Sequence, residues 1–352
     1  MTTQVLVDDE TAALRDSVRT FLSRRVVPAY PEWRAAGRVP RELLHEAAES
    51  GFLAMRVPES HGGLGIDDPR FGAVVAQEAM AVGAPALALV LSELGEVVVP
   101  ALVRSASDQL RERWLPGLAS GEALAAVATG ALDAGDGATV TGEAHFVVGG
   151  VDADLFLVLA GRQAVVVESG AAGLTVRPSQ PSIGLAAAGL ADLTFDGVAG
   201  ERLGDASEPC IDLSLLHALT AVAGARAALA LTAEYVLDRK AFGTPIATFE
   251  NTRHAIAAAS AQLDGADALA RECLQQRVDG ALAEPRAAAA RLLCAEVYAD
   301  VVDAGVQLHG GYGYMLEYPI AHAHADAAFW RLHGGAGGDL KEVVANSILG
   351  SR

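Results

Sequence analysis

The chain has 352 residues, 51% of them hydrophobic and 20% charged, which supplies a large buried core and excludes global disorder. Lys and Arg number 26 against 44 Asp and Glu, and the resulting formal charge of −18 repels phosphate backbones and argues against a nucleic-acid binder. Cys210, Cys273 and Cys294 stand far apart with no Cys-x-x-Cys spacing, so neither a disulfide framework nor a structural zinc site is expected, and a reducing, cytoplasmic setting fits best. Met1 to Val7 has neither the basic start nor the apolar run of a signal peptide. The most apolar stretch, 86–103, is interrupted by Ser92, Glu93, Glu96 and Pro100, so it reads as a buried helix and no membrane span is expected.

In chain order the expected class is α+β, mainly α. Residues 1–125 form an N-terminal helical domain. Asp8 and Asp9 are placed to cap a helix whose apolar face carries Leu14, Val18, Phe21 and Leu22, and Pro28 stops it. Further helices are expected over 41–50, 71–80, 86–98 with Pro85 in the first turn, and 108–118. The glycines and proline of 57–65 exclude regular structure there. Residues 126–205 change to short strands, whose close spacing suggests a small barrel or sandwich, and a small middle β-barrel domain is expected. Its expected strands are a hairpin of 138–140 and 145–148 around Thr141-Gly142-Glu143, then 154–160, 164–168, 174–177 and 192–196. Residues 206–352 return to helices at 213–240, 253–276, 284–308 and 320–333, a C-terminal four-helix bundle.

Two segments concentrate unusual residues: Tyr235-Val-Leu-Asp-Arg-Lys-Ala-Phe-Gly-Thr-Pro-Ile-Ala-Thr-Phe-Glu250, and Gln307-Leu-His-Gly-Gly-Tyr-Gly-Tyr-Met-Leu-Glu-Tyr-Pro319 followed by Asp326-Ala327. Arg239, at the end of a long helix, either pairs with a diphosphate or satisfies the helix C-terminus. Phe242 either stacks on a heterocycle or anchors the turn. Gly310, Gly311 and Gly313 permit close backbone approach to a ligand, or mark an ordinary turn. Together with the domain order, these segments resemble the acyl-CoA dehydrogenase family of flavoproteins. The 58–65 loop and Arg113-Trp-Leu-Pro-Gly-Leu-Ala-Ser-Gly121 extend the resemblance over nearly the whole chain. The resemblance implies an acyl-CoA substrate, and an electron-transfer flavoprotein as redox partner. It further implies that Arg239, Phe242, Gln307, Gly310 and Gly311 grip the ADP half of an FAD shared across a subunit interface.

The departures from that family are as informative as the matches. Where members carry an acidic glycine-rich loop for flavin and thioester, this chain reads Val127-Ala-Thr-Gly-Ala-Leu-Asp-Ala-Gly-Asp-Gly137, and the loop is read as deleted. The family's Trp-x-Ser/Thr element matches Phe146-Val-Val148. Dehydrogenation needs a base over the α carbon, yet Gly334 stands where the family's Glu is expected, and Leu213 or Ser214 at the alternative location. His333 beside the empty position is a candidate substitute, set against a helix-ending histidine. Asp212 is read as a helix cap as readily as a base, and His322 with His324 face different sides of a helix, which weakens a metal reading. Glu250 replaces a common Gln, and a carboxylate near a diphosphate weakens binding unless it turns away. The leading expectation is one subunit of a heteromeric acyl-CoA dehydrogenase whose related partner carries the catalytic Glu. The alternatives are a self-sufficient homo-oligomeric flavoenzyme with an atypical base and a scaffold that binds no flavin.

Overall fold

A computed structural model describes residues 9–135, 138–332 and 336–350. Helix α1 (Asp9–Phe21) continues through a π-helical turn at Leu22–Val26, and Pro28, which has no N–H to donate, ends the run. A helix absent from the sequence reading, α2 (Tyr30–Ala36), ends at Gly37 with φ 82°. Then come α3 (Arg41–Glu49) and a glycine-rich loop holding one short turn at Glu59–His61. Asp68 caps α4 (Pro69–Ala81) by accepting the Arg70 N–H at 2.9 Å. Next, α5 (Pro85–Glu93) flows through a π-helical turn at Leu94–Val98 into α6 (Val99–Ser105), well beyond the end expected at 98. Every residue from Ala84 to Leu102 is buried, so this rod carries no helical period because all of its faces meet protein. Ser107 caps α7 (Asp108–Ser120), and Gly121 ends it.

The strands are β1 (Ala125–Ala134), β2 (Thr139–Val147), β3 (Leu155–Ala160), β4 (Gln163–Glu168), β5 (Leu174–Pro178), β6 (Ala191–Ala199) and β7 (Glu201–Asp205). They lie in the order β5-β6-β2-β1-β3-β4-β7, with only β1 and β3 parallel. This corrects the expected barrel: β5 and β7 are edges, and the sheet does not close. The expected hairpin is also corrected. The reversal lies between β1 and β2, whereas Thr141-Gly142-Glu143 sits inside β2. The first half of β1 pairs with β3 and its second half with β2, so one strand joins the two halves of the sheet.

The C-terminal part comprises α8 (Ser207–Asp238), α9 (Glu250–Val278), α10 (Glu284–His309), α11 (Pro319–Leu332) and α12 (Ala336–Leu349). The fifth helix, packed on α10, lies beyond the four expected. Helix α8 is buried on all sides from Ile211 to Val222 and lies against α4, α5, α9 and α10. One apolar core runs from Val18 in α1 to Trp330 in α11, while a separate cluster around Phe156, Val165 and Phe195 sits in the sheet. By length and composition, Pro85–Ser105 and Ser207–Asp238 could cross a membrane; here 89% and 67% of their most apolar windows are buried within the protein.

Candidate functional site

The two unusual segments meet at one end of the helical part. Past α8, Arg239 turns extended (φ −66°, ψ 125°) and the chain forms a minimal hairpin, β8 (Lys240–Ala241) against β9 (Thr244–Pro245). Its tip is Phe242-Gly243, with φ 52° and 85°, the left-handed pair that a two-residue hairpin requires. Phe242 is 98% exposed. At the end of α10, Gly310 takes φ 60°, ψ −138°, a conformation reserved for glycine. A Cβ on Gly313 would lie 2.4 Å from the Val306 carbonyl oxygen. These two glycines fold residues 310–314 back on α10, while Gly311 faces open space and Gln307 is exposed one turn earlier.

The fold-back brings Tyr312 to Arg239, whose guanidinium carbon lies 5.2 Å from the ring centroid. Behind it, the Tyr235 ring stacks on His309 at 4.0 Å, and the Tyr235 hydroxyl donates to the His309 carbonyl at 3.2 Å. His309 Nδ1 donates to the Gly305 carbonyl at 2.7 Å, and burial lowers the His309 pKa. Arg239 makes no ion pair among the described residues, although Glu250 opens the nearby α9. The Glu250 carboxylate is exposed and lies 3.9 Å from His254, one turn along its own helix. Thus Arg239 and the Gly310-Gly311 turn are brought together, and Phe242 projects beyond them into solvent. Sequence reasoning missed Tyr312; its only signal was an aromatic residue inside a glycine run.

On the sheet side, the stretch 127–137 that the family resemblance assigns to a flavin loop is strand β1 as far as Ala134, and residues 136 and 137 lie outside the described residues. Strand β1 is packed tightly against β2, for a Cβ on Gly142 would lie 2.1 Å from the Ala131 carbonyl oxygen. Phe146 sits at φ 55° in a register shift, half-exposed, with its N–H donating to Asp192 at 3.1 Å, and Val148 is buried.

At the alternative base position, Leu213 and Ser214 are buried in α8. Asp212 does not cap that helix, which begins at Ser207. Its buried carboxylate is held by Arg104 at 2.8 Å and Arg277 at 2.7 Å, and burial raises its pKa against the pull of both arginines. Nearby, Glu96 lies 3.5 Å from Arg56, which also pairs with Asp67, and burial pushes the Glu96 carboxyl up to about 8. His333 and Gly334 lie outside the described residues. His322 Nδ1 is 2.7 Å from Arg34, and His324 is exposed. Among the described residues no three His, Cys, Asp or Glu side chains gather as a metal site.

Helices flanking an open sheet, with an arginine that makes no ion pair among the described residues beside a glycine turn, define the class as a helix–sheet–helix protein. Residues 8–122 match the acyl-CoA dehydrogenase N-terminal domain, and residues 214–349 match the C-terminal domain of the same family. The chain is 30% identical to the mitochondrial long-chain specific acyl-CoA dehydrogenase of Sus scrofa, across 95% of this chain and 85% of that protein. An acyl-CoA dehydrogenase from Geobacillus kaustophilus superposes with a TM-score of 0.89 at 25% identity, covering 99% of this chain and 100% of the other. A glutaryl-CoA dehydrogenase from Mycobacterium smegmatis, solved with FADH2, shares the fold with a TM-score of 0.86 at 19% identity, across 98% and 96% of the two chains. The chain belongs to the acyl-CoA dehydrogenase family of oxidoreductases.

Proposed function

We propose that this chain is one subunit of a heteromeric, FAD-dependent acyl-CoA dehydrogenase. It contributes the ADP-facing half of an FAD site across the subunit interface, and a related subunit contributes the ring-holding loop and the glutamate base. One contrast supports the reading: Arg239 lies by the Tyr312 ring with no ion pair among the described residues, while the stretch matching the flavin loop is strand β1 from Val127 to Ala134.

The residues present fit only part of the cofactor. Arg239 is a cation with no carboxylate partner among the described residues, set beside Gly310 and Gly311, where an added Cβ would meet nothing within 4 Å. A diphosphate needs that pairing of fixed charge and accessible backbone. On the sheet side, β1 and β2 close on each other at Gly142 and leave no room for a group between them there. No carboxylate stands at Leu213 or Ser214, and two arginines hold Asp212 away from service as a free base.

Bound FAD would supply the two-electron acceptor for α,β-dehydrogenation of an acyl-CoA thioester. An electron-transfer flavoprotein is the next carrier in this reading. Exposed Phe242, Tyr314 and Leu316 at the same end favour cover by another subunit. The proposal includes a cytoplasmic location, in keeping with three free cysteines.

Colour tests the reading. Purified alone, the chain is expected to be colourless; co-expressed with the related subunit it yields a yellow, active complex that loses flavin in Arg239→Ala. Stoichiometric flavin in the chain alone would instead establish a self-sufficient enzyme. A colourless, inactive pair would leave a scaffold.

A further inference from the structure

We infer that Tyr312 is a positioning residue, holding the Arg239 guanidinium in place for a diphosphate; the inference rests on the FAD reading above. An exposed arginine must surrender rotamer freedom when it grips an anion, so prior orientation strengthens binding. A carboxylate could orient it, but would also neutralise the cation and compete with the phosphate. An aromatic face orients the guanidinium while leaving its charge and N–H edge available. That is the arrangement at Arg239: 5.2 Å from the Tyr312 centroid, with no ion pair among the described residues.

The ring is itself braced. Tyr312 lies 5.1 Å from the Tyr318 ring, which meets Tyr235 edge-on at 6.2 Å, and Tyr235 stacks on His309. Arg239 is therefore referenced, through four aromatic rings, to the ends of both α8 and α10. Gly310 and Gly313 set the fold-back that delivers the ring. The contact needs a π face and no hydroxyl, which separates it from a hydrogen-bonding role.

The test uses the assembly purified through a tag on this chain from its own cells, with FAD dissociation followed by flavin fluorescence. Tyr312→Leu is expected to weaken FAD binding about two- to fivefold, the size of an exposed cation–π contact. Tyr312→Phe is expected to bind as the parent does. In an Arg239→Ala background, Tyr312→Leu should add nothing, because the two act as a unit. If Arg239→Ala weakens binding while Tyr312→Leu does not, or if the two effects simply add, the positioning role is overturned and the FAD site stands. A Tyr312→Phe protein as weak as Tyr312→Leu also overturns it. If Arg239→Ala changes nothing, or the assembly binds no FAD, the underlying FAD reading falls and takes the inference with it.

Discussion

Glu96 is buried against the backbone of Gly72, where a Cβ would lie 2.0 Å from its Oε1, and Arg56 only partly offsets the desolvation of its carboxylate. Its folded pKa of about 8 stands above the ordinary 4.5, so between those values the folded state keeps a proton that the unfolded chain has released. The associated stability is whole below the unfolded value and is lost as pH rises through the folded one. Urea unfolding at pH 5 and pH 8 should therefore show the wild type losing more stability than Glu96→Gln, by an amount on the order of a few kcal/mol. Equal losses in both proteins would refute the assignment. At this scale the sequence disclosed Arg239 and its glycines through their joint pattern, but not the ring over Arg239 or the arginines around Asp212. Those partners come from 73, 108 and 65 positions away in the chain, beyond any local signal.

At the level of elements, the glycine fold-back that ends α10 separates three glycines that look equivalent in sequence. Gly313 is required by space and Gly310 by its backbone conformation, whereas Gly311 is constrained by neither. Gly313→Ala and Gly310→Ala are each expected to cost about 1–3 kcal/mol of stability, with a lowered melting temperature, and Gly311→Ala should melt with the wild type. Three similar melting temperatures would show that the turn adapts. The same ambiguity misled the reading of Thr141-Gly142-Glu143 as a turn. Within β2, Gly142 takes φ 116° because the β1 backbone presses against it, a constraint invisible to a reader of one strand. Helix α2, strand β7 and helix α12 escaped because each is short, or weakly periodic, and is stabilised by what it packs on.

Across the whole molecule, the helices before the sheet and those after it share one core. Ala76 and Met80 in α4, Leu87 in α5 and Leu219 in α8 belong to the same apolar cluster. Neither helical part can bury its inner surface alone. Residues 1–125 and 206–352, expressed separately, are expected to lack the sharp cooperative thermal transition of the full chain when followed by circular dichroism. A cooperative melt of either fragment would show that it folds independently. The −18 charge is a property of this scale, and on that acidic chain Arg239, which makes no ion pair among the described residues, is placed where the two unusual segments meet.

The sequence by itself determined the helix–strand–helix order, the long buried helices and the family, because apolar periodicity, glycine and proline signals and contiguous motifs are local properties of the chain. Tertiary structure alone decided that the sheet stays open and that β1 joins its two halves. It also decided that Asp212 is clamped by two arginines and that Tyr312 lies over Arg239. Each of these depends on which distant backbones come close enough to exclude a side chain or pair a charge, and that proximity is set only when the core closes.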